Sequence, residues 1–343
     1  MPDKPRPLII SAPYPRTLDL IFSPKARRML HETYEVVECE PEAVGELGGE
    51  TLAQVRYILG QPPLSEPLLQ AMPDLRCILN VESNLINNMP YEVLFRRGIH
   101  VLTTGQVFAV PVAELGLAMA LTLARGIVGA DRAFQEGSEL WGGDGNAAAR
   151  LLSGSEIGII GFGDLGRALN RVLTGFRARI RVYDPWLPAS MLGDEGVEPT
   201  GLDKVLAQSD FVFAVASVTS ENRHFLGARE FSLMRKCAAF ILLSRAEIVD
   251  FEALLDAVET GHIQAASDVF PQEPMPQDHR VRRLPGFLRS AHRAGALDSA
   301  FLAMGDMVLE DMALMDRDLP PMRCKRAERE TVSRMRSRPV DIN

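Results

Sequence analysis

The run Ile157-Gly158-Ile159-Ile160-Gly161-Phe162-Gly163-Asp164-Leu165-Gly166-Arg167 decides the fold of this chain. The apolar stretch 157–160 reads as a buried strand, and 166–173 opens a helix-forming segment. Between them stands G-x-G-x-x-G, a weak motif alone but not in this strand–turn–helix setting. Gly161 permits the tight turn. Gly163 lets backbone N–H groups approach a pyrophosphate, and Gly166 lets the helix pack close on the strand. The helix N-terminus then turns the positive end of its dipole toward the phosphates. A second strand, 180–183, ends at Asp184, 18 residues beyond Gly166. That is close to the ~20 expected of the acid that receives the adenosine ribose hydroxyls. A carboxylate there repels a 2′-phosphate, and neither Pro185 nor Trp186 supplies a cation, so the pattern predicts NAD rather than NADP.

Outward from this loop the chain keeps alternating. Strands are predicted over 211–215, 240–243 and 265–269, and a helix over 300–315. The first hundred residues offer strands at 8–11, 34–39, 55–59, 77–81 and 100–102, with helices such as 24–31 and 66–72 between them. Both halves therefore predict α/β layers on parallel sheets. Only the second half carries a glycine-rich phosphate loop. The segment 107–124 is apolar but contains Pro111 and Glu114, and the uncharged part is too short for the ~20 residues of a membrane span. It reads as a buried helix at a domain or subunit interface. The polar, Gly-rich span 136–148 reads as loop, and the arginine-rich stretch 323–338 as a solvated or disordered tail, with an interaction arm as the alternative.

A length of 343 residues suggests about two domains at ~150 residues each. A net charge of −8 gives no reason to expect nucleic acid or an anionic membrane as partner. Cys39, Cys77, Cys237 and Cys324 are not spaced for a metal or a redox pair and read as reduced thiols of a reducing, cytoplasmic compartment. Residues 1–8 show no secretory signal. No His, Cys, Asp and Glu cluster has metal-ligand spacing, so no metal is expected.

Four further blocks, with the loop and Tyr183-Asp184-Pro185, carry a resemblance. They are Thr219-Ser220-Glu221-Asn222-Arg223-His224, Ser244-Arg245 with Ile248-Val249-Asp250, Asp268-Val269-Phe270 with Gln272-Glu273-Pro274, and Ala291-His292-Arg293-Ala294-Gly295. Over 152–295 the chain resembles the D-isomer-specific 2-hydroxyacid dehydrogenases, a family that includes glycerate, phosphoglycerate and D-lactate dehydrogenases. Weaker likeness extends through Arg96-Arg97-Gly98-Ile99 and Val112-Ala113-Glu114, and forward to Pro321. The resemblance implies a Rossmann-type nucleotide-binding domain, 106–297, inserted in a flavodoxin-like substrate domain, 1–105 with 298–322. Residues 323–343 are left as a basic C-terminal tail. It also implies a homodimer and an active-site cleft whose closure excludes water from hydride transfer.

The family's Arg, Glu and His map onto Arg245, Glu273 and His292. The chemistry agrees with that mapping. The carboxylate of a 2-oxo acid suits a planar, permanently charged partner, Arg245. The oxygen that gains charge as hydride reaches C2 needs a proton donor, and histidine titrates in the right range. Glu273 would orient His292 and favour its charged form. Without the resemblance, Glu273 reads as a solvated loop carboxylate and His292 as an ordinary loop histidine, whereas Arg245 follows an apolar strand, where sites of open α/β sheets lie. By the same resemblance NAD would touch Gly161, Phe162, Gly163, Asp164, Leu165, Gly166, Asp184, Ala216, Ser217, Ser244, Arg245, Asp268 and His292. Substrate would touch Arg245 and the segment Asn80, Val81, Glu82, Ser83 and Asn84.

That segment departs from the family. Where relatives carry a Gly-rich loop whose N–H groups hold the substrate carboxylate, this chain has Asn80-Val81-Glu82-Ser83-Asn84-Leu85-Ile86-Asn87-Asn88. Glu82 is expected either to face solvent or to meet an active-site cation or a substrate hydroxyl, and the amides of Asn80 and Asn84 to stand in for backbone donors. Leu242-Leu243-Ser244-Arg245-Ala246 replaces the usual Asn-Thr-Ala-Arg-Gly. The expected reaction is interconversion of a small 2-oxo acid and its D-2-hydroxy acid, of the glycerate, hydroxypyruvate or glyoxylate kind. The alternatives are an NAD-sensing protein-binding scaffold similar to the C-terminal-binding corepressors, or a dehydrogenase of another small anion such as phosphite or formate.

Overall fold

The computed structural model describes residues 6–82, 85–219 and 221–333. They divide into two compact units. One holds the described residues up to Phe108 and those from Ala296 on, the other Ala109–Gly295.

The first unit is built on a six-stranded sheet. Its parallel strands are β1 (Leu8–Ala12), β2 (Glu35–Glu38), β3 (Val55–Gly60), β4 (Cys77–Asn80) and β5 (His100–Thr103). Their order, β5-β4-β3-β1-β2, is the flavodoxin-like one. Every residue of β1 and β4 is buried, as expected where helices cover both faces of a parallel sheet. The crossover helix Pro24–Thr33 starts on Ser23, whose hydroxyl accepts the Ala26 N–H at 3.1 Å, with Pro24 in the first turn. The return helix Asp298–Met315 lays its buried methionines, Met304, Met307, Met312 and Met315, on the same core as Tyr57 and Leu79.

The second unit is a seven-stranded parallel sheet. Its strands are β6 (Glu156–Ile160), β7 (Arg179–Tyr183), β8 (Glu198–Pro199), β9 (Phe211–Ala214), β10 (Ala239–Leu242), β11 (Gln264–Ser267) and β12 (Phe287–Arg289). The order β8-β7-β6-β9-β10-β11-β12 corresponds to the doubly wound 3-2-1-4-5-6 arrangement plus one strand. The helix Ala109–Arg125 packs within this unit. Adding a Cβ to its Gly116 would bring it within 2.5 Å of Leu243 Cδ1, so helix and sheet are in close contact.

Three segments differ from the sequence expectation. Residues 323–333 do not begin a solvated tail: β13 (Lys325–Arg326) pairs antiparallel with β5, and Arg329–Val332 forms a helical turn. The buried Asp311 carboxylate accepts the Met322, Arg323 and Cys324 N–H groups at 2.7–2.8 Å and ties this stretch to the return helix, while Cys324 and Ala327 point inward. Two cationic side chains then sit on a sheet edge, where charge discourages further strand pairing. Residues 334–338 of the expected tail lie outside the described residues. Ahead of the 136–148 span stands a helix, Ile127–Glu136, bounded by Gly126 and Gly137 at φ 62° and 68°. The three residues of β12 were too few to read as a strand.

Candidate active site

The register of the second sheet assembles the site. Ile160 is level with Tyr183 and Ala214, Leu242 with Ala214 and Ser267, and Ser267 with Arg289. The residues that follow these positions therefore leave the sheet along one carboxyl-end edge. Gly161, Asp184, Ala216, Ser244, Arg245, Asp268 and His292 all belong to that group.

Gly161 adopts φ 90°, and a Cβ there would stand 2.5 Å from Ala216 Cα. The turn lies where the strand order reverses between β6 and β9, and only a residue without a side chain fits the approach. Gly166 is held as closely: its Cβ would meet Gly161 O at 2.5 Å. Gly163 is different, because a Cβ there would meet nothing within 4 Å. It is the N-cap of the helix Asp164–Leu173 and has no side chain to cap the first turn. An open glycine ahead of a ten-residue helix leaves backbone N–H groups and the positive end of the helix dipole that could hold a diphosphate. Phe162 is buried and stacked by the Arg167 guanidinium, whose Nη1 donates to Phe162 O at 3.0 Å. Asp164 and Leu165 form the half-buried start of the helix.

Asp184 fastens this loop. Its Oδ2 accepts the Phe162 N–H at 2.7 Å and its Oδ1 the Trp186 N–H at 2.9 Å. A carboxylate has about four acceptor directions, so two backbone bonds leave room for ribose hydroxyls. After β9, Asn222 closes a turn by donating to Ser217 O at 2.7 Å and accepting the Thr219 N–H at 2.8 Å. An open glycine cradle, a carboxylate at the ribose end and a buried Ser244 hydroxyl with no hydrogen-bond partner among the described residues together fit a nicotinamide dinucleotide.

Farther along the edge, Arg245 is half-buried and donates from Nη1 to Ser244 O at 2.7 Å. Glu273 Oε2 lies 2.5 Å from His292 Nδ1, and Glu273 Oε1 accepts the Phe270 N–H at 2.8 Å. Burial pushes the Glu273 carboxyl up, but the hydrogen bonds from His292 and Phe270 and the charges of His292 and Arg245 outweigh it, so its pKa lies below the ordinary carboxylate value. The histidine side chain is 40% exposed. With Nδ1 facing Glu273, its Nε2 is the atom left to exchange a proton with a bound molecule. These three side chains, 47 residues apart in sequence at their extremes, are thus brought to one edge.

The expected substrate segment belongs to the first unit. Asn80 is 3% exposed, and its amide is engaged on both sides: Oδ1 accepts the Glu82 N–H at 2.8 Å and Nδ2 donates to Gln61 Oε1. Gln61 in turn donates to Ile86 O, Asn88 Oδ1 and Tyr91 Oη. The Asn80 amide thus joins β4 to the polar network around Gln61. Val81 is buried in the apolar core. Glu82 pairs with Arg16, Nε to Oε1 2.8 Å. Arg16 also stacks over the Phe301 ring at 4.8 Å. Ser83 and Asn84 lie outside the described residues. Arg16 and Gln61 escaped sequence reading because neither belongs to a motif; the one local signal is that each follows a predicted strand. Among the described residues no group of His, Cys, Asp and Glu side chains is placed to hold a metal ion.

Comparison with known proteins gives the family of the chain. The family model described as D-isomer specific 2-hydroxyacid dehydrogenase, NAD binding domain, matches residues 117–294. A glyoxylate reductase of Korarchaeum cryptofilum is 31% identical over 264 residues, covering 76% of this chain and 79% of its own length. A D-3-phosphoglycerate dehydrogenase of Methanocaldococcus jannaschii is 28% identical over 229 residues, 66% of this chain and 43% of that protein. Among solved structures, a phosphoglycerate oxidoreductase from Rhizobium etli superposes with a TM-score of 0.90 at 72% identity, over 94% of this chain and 99% of that one.

Proposed function

The chain belongs to the D-isomer-specific 2-hydroxyacid dehydrogenases, NAD-dependent oxidoreductases, and from that premise we propose that it interconverts a small 2-oxo acid and its D-2-hydroxy acid with His292 as the acid/base. The observation that carries the proposal is the His292–Glu273 pair at 2.5 Å on the edge that also presents Arg245. Bound nicotinamide supplies or accepts the hydride at C2. Arg245 grips the substrate carboxylate with a planar, permanently charged fork. Glu273 fixes the imidazole through Nδ1, so Nε2 delivers a proton to the carbonyl oxygen in reduction and removes it from the hydroxyl in oxidation. Asp184 selects NAD over NADP, since a 2′-phosphate would approach a carboxylate already committed to the loop. The second unit is then the nucleotide domain and the first the substrate domain, with Asn80 supporting Glu82.

The substrate class is a short acid of the glyoxylate, hydroxypyruvate or glycerate kind, with phosphorylated glycerate added by the name of the 72%-identical relative. Oxidation of NADH and NADPH, followed by absorbance with a panel of these acids plus pyruvate, is the direct test. Turnover with NADH and a member of this class is expected. No turnover with any panel member, or His292→Ala as active as wild type, refutes the reading; the expected loss for His292→Ala is ~10²–10⁴-fold in kcat.

The same reading places the enzyme in the cytoplasm as a homodimer, bound neither to a membrane nor to nucleic acid. Ile127, Val128, Phe134, Leu140, Trp141 and Leu151 are all exposed on the second unit, and the helix Ile127–Glu136 has no buried residue. Apolar surface of this kind marks an interface, here with a second copy of the chain. Sedimentation equilibrium showing a monomer at micromolar concentration contradicts it.

A further inference from the structure

The carboxyl-end edge of the first sheet holds a charged pair that the proposed reaction leaves unused. Arg16 follows β1 and Glu82 follows β4, so the pair spans the end of β3, beside the point where the strand order reverses. Ligands of open parallel sheets bind in the crevice at such a point. The two paired atoms, Arg16 Nε and Glu82 Oε1, lie 2.8 Å apart and are buried, whereas the arginine side chain as a whole is 20% exposed. Its guanidinium stacks over the buried ring of Phe301. No described residue takes a hydrogen bond from its Nη1 or Nη2. Carboxylate and ring therefore fix the guanidinium plane and leave its two outer nitrogens to donate. Stability does not account for the pair, because the cost of desolvating two charges offsets most of their attraction.

We infer that Arg16 sets substrate specificity: its Nη1 and Nη2 donate to an uncharged oxygen of the substrate beyond C2, such as the C3 hydroxyl of hydroxypyruvate or glycerate, and Glu82 turns phosphorylated analogues away. The inference rests on reading the first unit as the substrate domain of a 2-hydroxyacid dehydrogenase. Glu82 makes the pair neutral. A hydroxyl is not repelled by such a pair and gains a charge-assisted hydrogen bond from the guanidinium. A phosphate dianion at the same nitrogens meets the carboxylate across one planar group. Attraction and repulsion then nearly cancel, while the cost of stripping water from the phosphate remains. A substrate with no oxygen beyond C2, such as glyoxylate, makes no bond to the two donors. Hydroxypyruvate is thus preferred to both glyoxylate and 3-phosphohydroxypyruvate.

The experiment measures kcat/KM with NADH for glyoxylate, hydroxypyruvate and 3-phosphohydroxypyruvate in the wild-type chain, Arg16→Lys, Glu82→Gln and the double variant Arg16→Met/Glu82→Gln. The wild-type chain should favour hydroxypyruvate over each of the other two by about tenfold or more; a preference for the phosphorylated acid overturns the inference. In R16M/E82Q the ratio of hydroxypyruvate to glyoxylate should fall by about 10–10²-fold. E82Q leaves the arginine charge uncompensated, so 3-phosphohydroxypyruvate should gain on hydroxypyruvate by about tenfold. Unchanged ratios in either variant refute the proposal, including rates that fall by one factor for all three acids, which is what a merely structural pair produces. If the double variant does not fold, R16K decides. It keeps the charge beside Glu82 and loses the planar fork, so the ratio of hydroxypyruvate to glyoxylate should drop by about tenfold, and a wild-type ratio overturns the inference. Failure of the dehydrogenase reading shows separately, as no turnover of any of the three acids by the wild-type chain, and the inference falls with it.

Discussion

The two sheets follow the same plan and meet ligand chemistry differently. Each has parallel strands at its centre, with the strand order reversed once, and each has a glycine at the reversal. In the first unit it is Gly60, at φ 116°, where a Cβ would stand 1.9 Å from Ala12 O. In the second it is Gly161, where a Cβ would meet Ala216 at 2.5 Å. These glycines let neighbouring backbones close on each other. They do not make a phosphate site. What separates the edges is the next element: Gly163 opens an uncapped ten-residue helix in the second unit, whereas β1 leads through Pro13, Tyr14, Pro15 and Arg16 to the four-residue helix Leu18–Ile21, already capped by Thr17. The first edge is dressed with side chains instead, in the Asn80–Gln61–Asn88 network and the Arg16–Glu82 pair. Fold alone does not assign a ligand; bare backbone or polar side chain at the edge does.

This contrast can be broken at its strongest point first. Gly60→Ala should destabilise the first unit by about 4 kcal/mol or more, since backbone rather than a movable side chain blocks the methyl group. Hydrogen exchange in β1 and β3 would show it, and native protection there would mean that the close approach is not rigid. Gly163→Val should cost no more than about 1 kcal/mol of stability, that of a poorer N-cap, because a Cβ there meets nothing within 4 Å, yet weaken NADH binding by about 10²-fold, or about 2.7 kcal/mol. Undiminished binding would remove the diphosphate from this loop. The smallest effect concerns Glu273. Its depressed pKa means that its contribution to stability is present above the unfolded value near 4.5 and is lost as pH falls through the lower folded value. The gap in Tm between wild type and Glu273→Gln should therefore narrow from about pH 6 to about pH 3. A gap that widens on acidification would reverse the sign of the His292–Glu273 interaction.

The parts of the molecule that could be read early are those encoded by neighbours in the chain. Strands β1, β3, β6, β9 and β10 declared themselves as apolar runs, because a parallel sheet buried on both faces demands them. The glycine loop and Asp184 were legible for the same reason: the strand, the turn and the helix end are contiguous, and each glycine answers a local steric need. Arg245 could be placed because it follows an apolar strand. Glu273 and His292 carry no local signal beyond the family resemblance, since no local pattern says that 19 residues apart they share a hydrogen bond.

Tertiary structure decided the rest, and always through contacts between distant segments. It set the Asn80 amide between Gln61 and Glu82, and turned Glu82 toward Arg16. It drew Lys325 and Arg326 out of an apparently solvated tail into a sheet edge by burying Cys324 and Ala327. It set His292 at a left-handed φ of 47° and brought three successive amides of its turn onto Asp268. Sequence by itself determined the dinucleotide loop and the α/β layers, because steric fit and hydrophobic burial act over a few neighbouring residues. The placement of charged and polar groups needed the folded chain, because a hydrogen bond or ion pair depends on where a partner tens or hundreds of residues away comes to rest.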